Sequence, residues 1–292
     1  MNIFSGLEKI VEKDYPLGKS TWFGLGGNAD YLVKPQNTNQ MADVIRRCGE
    51  NNLPLRVLGF GSNLLVQDKG VKGAVLKLSG SDFAGVKFNG DILTAGAGAE
   101  LSSLVLDCVK KGLAGLETLA GIPGSIGGAV KMNAGGHFGD FGAAVESVTL
   151  MDGDGKIFEK AKPELSFDYR SSNINTKFIL DAKIRLYESD PQQLLKILKE
   201  VWIYKKNTQP LNTRSAGCVF KNPRGMSAGA MIDRAGLKGT KIGGAVVSEK
   251  HANFIIAEDG CKSSDVIALI EKIRKKIKEK FDVQLELEIE IW

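Results

Sequence analysis

The 292-residue chain is poor in histidine. It has two, His137 and His251, and neither stands beside a second histidine or a cysteine at metal-ligand spacing, which argues against a metal centre. Its four cysteines, Cys48, Cys108, Cys218 and Cys261, form no C-x-x-C pair, and their wide spacing gives neither a zinc pattern nor a disulfide framework. No run of about 18 apolar residues occurs, which argues against a membrane-spanning helix. Residues 1–19 carry Glu8, Lys9, Glu12, Lys13 and Asp14 and lack the apolar stretch of a signal peptide, so a cytoplasmic protein is expected. Also missing are the lysine and hydroxyl pair of a P-loop and a convincing nucleophile elbow for a hydrolytic triad.

What the chain has in excess is glycine, 35 residues against a usual share of about 7%. The glycines cluster in two loops. Residues 57–66 read Val-Leu-Gly-Phe-Gly-Ser-Asn-Leu-Leu-Val, two apolar runs flanking a segment rich in backbone N–H groups and poor in side chains. Residues 121–136 read Gly-Ile-Pro-Gly-Ser-Ile-Gly-Gly-Ala-Val-Lys-Met-Asn-Ala-Gly-Gly. Glycine lets a chain turn with positive φ and approach a ligand closely, and successive amide dipoles can then cradle an anion without formal charge. Two such loops suggest one large nucleotide cofactor. A Rossmann fingerprint fails at residues 59–64, where the third glycine is missing and no helical pattern follows.

Length favours two or three domains. The net charge of +5 does not imply a nucleic-acid partner, because the lysines concentrate at Lys272, Lys275, Lys276, Lys278 and Lys280, interleaved with Glu271 and Glu279 as on a solvated helix face. Strands are expected over 55–66, 73–78, 92–96, 145–151 and 178–186. Apolar spacing marks helices through Met41, Val44, Ile45 and Cys48, and through Leu101, Leu104, Val105, Cys108 and Val109, so Cys48 and Cys108 read as core. Pro191 opens a helix expected to carry Leu194, Leu195, Leu198 and Trp202 on one side, followed by a polar connector over 205–215. A short helix is expected over 226–235, and a long one from the Ser263-Ser264-Asp265 cluster to Phe281. Residues 283–291 alternate apolar and polar as in a half-buried strand, and periodicity alone does not choose among Glu286, Glu288 and Glu290.

Two further segments carry chemistry. Tyr169-Arg170 places a planar, permanently charged guanidinium after an aromatic ring, suited to bidentate recognition of a carboxylate, with a surface ion pair as the plain alternative. Cys218 lies off any helical stripe, between Gly217 and a polar turn, with Arg214 and Lys221 nearby; a buried inert thiol is the competing reading.

Seven segments in order resemble the UDP-N-acetylenolpyruvoylglucosamine reductase family, usually called MurB: residues 21–33, 59–66, 121–136, 169–172, 208–211, 217–223 and 247–254. The resemblance covers most of the chain and points to the shorter subgroup. It implies an α+β fold of the vanillyl-alcohol oxidase type, with FAD-binding subdomains at 1–55 and 56–190 and an α+β substrate domain at 191–292. It implies FAD held by Gly59, Gly61, Ser62, Asn63 and Leu64 and by Gly121, Ile122, Pro123, Gly124, Gly127, Gly128 and Asn133. The implied reaction uses NADPH as hydride donor to reduce UDP-N-acetylglucosamine enolpyruvate to UDP-N-acetylmuramate, in a monomer. Arg170 and Glu288 match the family positions that polarise the substrate carboxylate and stabilise the enolate, and Cys218 matches the proton donor, where serine is more usual. Tyr169, Lys221 and Asn222 match substrate contacts. An FAD-dependent oxidase of the same fold family, and a non-catalytic nucleotide-binding relative, are the competing readings.

Overall fold

A computed structural model describes residues 3–292. The chain divides into two compact units, each assembled from separated stretches: one from residues 3–14, Asp30–Gly59 and Lys72–Tyr204, the other from Tyr15–Ala29, Phe60–Val71 and Lys205–Trp292.

In the first unit, an antiparallel five-stranded sheet runs in the order Ile157–Ala161, Val145–Met151, Phe178–Arg185, Ile92–Gly96, Val86–Asn89. The central strand Phe178–Arg185 buries Phe178, Ile179, Leu180, Ala182 and Ile184, as expected of a strand covered on both faces over part of its length. A second sheet contains Leu55–Leu58 paired in parallel with Val71–Lys77. Helices Thr38–Glu50 and Leu101–Lys110 lay their apolar stripes on these sheets, with Cys48 and Cys108 in the same core as predicted from their spacing. Burial raises both thiols, Cys48 to about 11 and Cys108 to about 12, because a thiolate in an apolar interior loses its hydration.

The helix opened by Pro191 departs from expectation. It buries Leu194, Leu198 and Val201, an i, i+4, i+7 stripe, and leaves Leu195 and Trp202 exposed. It also runs to Thr208, so the first residues of the expected polar connector are helical.

In the second unit, the three short antiparallel strands Lys241–Ile242, Ala245–Val247 and Ile255–Ala257 pack on the helix Ser263–Phe281, whose Val266, Leu269, Ile270, Ile273 and Ile277 are buried. That helix is capped from a distance. Asp68 accepts from the backbone amides of Ser263 at 3.0 Å and Ser264 at 3.3 Å, and its own amide donates to Ser263 Oγ at 2.8 Å. The expected strand over 55–66 is interrupted: Leu55–Leu58 and Leu64–Leu65 are separate strands on either side of the glycine turn. The alternating C-terminal segment keeps its buried face at Leu285 and Ile289, but ladder pairing is confined to Glu290–Ile291, parallel to Leu64–Leu65, and to an isolated bridge between Leu287 and Phe220.

Candidate active site

In the first unit the two glycine loops meet. A Cβ at Gly59 would lie 2.5 Å from Ser125 Oγ, so a side chain there would have to displace that hydroxyl from its bond with Gly128 N. Ser125 caps the short helix Ile126–Lys131, its Oγ accepting from Gly128 N at 3.2 Å, while Gly127 N donates to Ala97 O at 2.8 Å. Ile122 packs against the core of this unit, and Gly121 and Gly124 turn with φ of +67° and +149°. In the second unit, Gly61 has φ +66°, and a Cβ there would fall 2.2 Å from Ser20 O. Leu64 is buried in its strand, next to Asn63. Neither loop contains a carboxylate. Each loop is tightly turned, amide-rich and free of negative charge, and the amides of Gly127 and Gly128 are engaged by the protein.

Also in the first unit, Tyr169 and Arg170 form the tip of a hairpin between Phe167–Asp168 and Ser171–Ser172. Arg170 sits at φ +56°, a costly conformation for a residue with a side chain, and its guanidinium donates to Gly135 O at 2.9 Å and lies 5.3 Å from the Tyr169 ring centre. Tyr169 is half exposed. Asn133, 3% exposed, donates through Nδ2 to Asp168 O at 3.1 Å and accepts at Oδ1 from Gly142 N at 2.8 Å. His137 stacks on Tyr204, with ring centres 5.8 Å apart.

The second unit brings the remaining candidates together on three adjacent chain segments. The bridge between Phe220 and Leu287 sets the register, and Glu288 N donates to Val219 O at 2.8 Å. Glu288 therefore stands opposite the neighbour of Cys218. Asn63 Nδ2 donates to Glu288 O at 3.1 Å, and Glu290 N donates to Asn63 O at 2.9 Å, tying the glycine loop to the same segment. Glu288 is half-buried, whereas Glu286 and Glu290 are exposed, and Glu286 faces Lys221 across 3.8 Å. Asn222 Oδ1 accepts from Ala228 N at 3.0 Å at the start of the helix Ala228–Arg234. Cys218 is half-buried and bridges to Phe254.

Sequence reasoning gave no separate role to Asn253, which clamps this ladder. Buried to 3% exposure, it accepts from Phe220 N at 3.0 Å and donates to Phe220 O at 2.8 Å. The one signal was an asparagine inside the apolar run at 252–256. Burial lowers the proton affinity of His251 below that of a free imidazole, and its Nδ1 accepts from Asn253 N at 3.3 Å. Residues 225–229 do spell G-x-S-x-G, but Ser227 caps a helix, its Oγ accepting from Ala230 N at 3.2 Å, and no strand precedes it, so no nucleophile elbow exists there.

Comparison with known proteins gives two domain matches, an FAD binding domain over residues 29–160 and the C-terminal domain of UDP-N-acetylenolpyruvoylglucosamine reductase over 209–292. The reductase of Lachnoclostridium phytofermentans is 41% identical, over 94% of this chain and 91% of its own. The chain belongs to the UDP-N-acetylenolpyruvoylglucosamine reductase family. It is thus an FAD-dependent oxidoreductase. The reductase of Bacillus velezensis is 40% identical over 97% of this chain and 94% of its own. The crystal structure of the MurB reductase from Thermus caldophilus superposes with a TM-score of 0.85 at 38% identity, covering 97% of this chain and 98% of that one. Phl p 4, a grass pollen allergen with glucose dehydrogenase activity, shares the FAD-binding fold over 65% of this chain and 45% of its own, with a TM-score of 0.50 at 16% identity. The fold is that of the vanillyl-alcohol oxidase type joined to a MurB C-terminal domain.

Proposed function

We propose that this protein reduces UDP-N-acetylglucosamine enolpyruvate to UDP-N-acetylmuramate with NADPH as electron source, a step of peptidoglycan precursor synthesis. The observation that carries this reading is the ladder in the second unit, where main-chain bonds hold the Cys218 segment, Glu288 and Asn63 in one register. It is the arrangement expected if a proton donor, an enolate-stabilising group and a cofactor loop must be set relative to one another. We further propose that residues 1–55 and 56–190 serve FAD and 191–292 the substrate, a partition by role rather than by compactness.

FAD, when bound, supplies the hydride chemistry, and the loops at 59–64 and 121–128 would seat it; the side chain of Asn133 is not assigned to the cofactor, because both ends of its amide are taken by Asp168 O and Gly142 N. Arg170 clamps the substrate carboxylate by charge-assisted hydrogen bonds, which strengthen as negative charge accumulates there during reduction. Glu288 meets the same charge. A carboxylate would oppose an enolate, so this role needs Glu288 to carry its proton and donate it as a hydrogen bond. Cys218 gives its thiol proton to the carbon next to the one that accepts hydride, completing the lactyl ether, and the thiolate is reprotonated from solvent. Lys221 and Asn222 bind the substrate's diphosphate, and Tyr169 is a further substrate contact.

Both half-reactions are tested in one anaerobic experiment. NADPH should bleach the yellow protein, and UDP-N-acetylglucosamine enolpyruvate should restore the colour with formation of UDP-N-acetylmuramate. Reoxidation by oxygen alone, with no response to the enolpyruvyl sugar, would overturn the reading.

A further inference from the structure

We infer that Asn133 is a positioning residue that fixes the hairpin tip carrying Tyr169 and Arg170. Three ties bind that hairpin to the segment after the helix Ile126–Lys131: Ser172 Oγ donates to Lys131 O at 2.9 Å, Asn133 Nδ2 to Asp168 O at 3.1 Å, and the Arg170 guanidinium to Gly135 O at 2.9 Å. Residues 131, 133 and 135 alternate along one stretch of chain, so the hairpin is laid against it at every second residue. Of these ties, only that of Asn133 is made by a buried side chain with both ends used. Its orientation is unambiguous, because Gly142 N can only donate and Asp168 O can only accept. No other residue of its size presents both a donor and an acceptor in this way; aspartate keeps the bond from Gly142 and loses the one to the hairpin.

The tie matters because the tip is strained. Arg170 is held at φ +56° and Asn133 itself at +43°, and non-glycine residues keep such conformations only when their surroundings impose them. With the Asp168 carbonyl released, the tip is free to relax, and the Arg170 guanidinium moves with it. This role rests on the proposed clamp function of Arg170 but makes a separate claim: the neighbour that places Arg170 is known, and it acts through main chain.

The test compares Asn133→Asp and Asn133→Gly with Arg170→Ala in the FAD-loaded protein, reading flavin content, melting midpoint and each half-reaction. Glycine tolerates the positive φ and removes both side-chain bonds, while aspartate removes only the bond to Asp168. Both Asn133 variants should keep their flavin and their rate of reduction by NADPH. Reoxidation by the enolpyruvyl sugar should slow about 10- to 100-fold, the range expected for misplacing a reacting contact by about an ångström. In the Arg170→Ala background the Asn133 substitutions should cost nothing more. Equal loss in both half-reactions, loss of flavin, or a further loss in the Arg170→Ala background would overturn the inference. If Arg170→Ala itself leaves reoxidation intact, the clamp reading fails. If Arg170→Ala is slow and the Asn133 variants are normal, only the positioning role fails.

Discussion

Cys218 and Glu288 are the residues at which this chain can be tested one side chain at a time. Burial raises Cys48, Cys108 and Cys261 to about 11, 12 and 11, so at neutral pH these thiols are poor nucleophiles. Iodoacetamide at pH 7 should therefore modify Cys218 first, read by mass spectrometry of peptides, and inactivate the enzyme in step. Cys218→Ser should keep turnover and resist the reagent. Cys218→Ala should lose about 10²- to 10⁴-fold in turnover, the usual contribution of a positioned acid, and near-normal activity would remove it from the mechanism. Among the three C-terminal glutamates, Glu288→Gln should keep the hydrogen-bonding shape but cost turnover, whereas Glu286→Gln and Glu290→Gln, at exposed positions, should change it less than twofold. A collapse confined to Glu286 or Glu290 would shift the assignment.

At the scale of elements, the long helix Ser263–Phe281 depends on a cap that no local pattern announces. Its sequence offers serines and Asp265, and Asp265 does accept from Lys262 N at 3.0 Å, but the amides of Ser263 and Ser264 are satisfied by Asp68, 195 residues away. Burial by itself would raise the Asp68 carboxyl, yet the hydrogen bonds from Ser263 and Ser264 outweigh it and hold it below the ordinary aspartate value. A depressed folded value means that the stabilisation is complete above the unfolded aspartate range near ~3.9 and is lost as pH falls through the folded value. Asp68→Ala should cost about 1 kcal/mol at pH 7, typical of a helix cap, and the gap in melting midpoint from wild type should close in acid. A gap that persists unchanged at low pH would show that Asp68 acts by something other than its charge.

For the molecule as a whole, the second unit is held by contacts between chain stretches far apart in sequence. Glu290 N on Asn63 O at 2.9 Å, Gln67 N on Trp292 O at 2.9 Å and Trp292 N on Leu65 O at 3.0 Å join the last residues to the strand that follows the first glycine loop. Removing residues 290–292 deletes three such bonds. At about 1 kcal/mol each, the loss is roughly 3 kcal/mol. Flavin retention after gel filtration should fall with it, because Ser62 and Asn63 lie at the freed end. Full flavin retention in the truncated chain would separate this strand from the cofactor loop. Among the described residues, no helix is long and apolar enough to cross a membrane.

Local physics made much of this legible in the sequence. The stripes through Cys48 and Cys108, the strand at 145–151 and the amide-rich loops follow from side-chain period and glycine geometry, which act over a few residues. The order of seven segments supplied the family. Tertiary structure decided what depends on partners distant in the chain. Trp202 lies outside its helix's buried stripe because Leu194, Leu198 and Val201 face the core instead. A side chain at Gly59 would press on the Ser125 hydroxyl that caps the helix Ile126–Lys131. The alternation at 283–291 is equally satisfied by a two-residue slip, and only the Phe220–Leu287 bridge, with Glu288 N bonded to Val219 O, fixes which glutamate pairs with Val219. A periodic pattern specifies a face, and register needs a second strand.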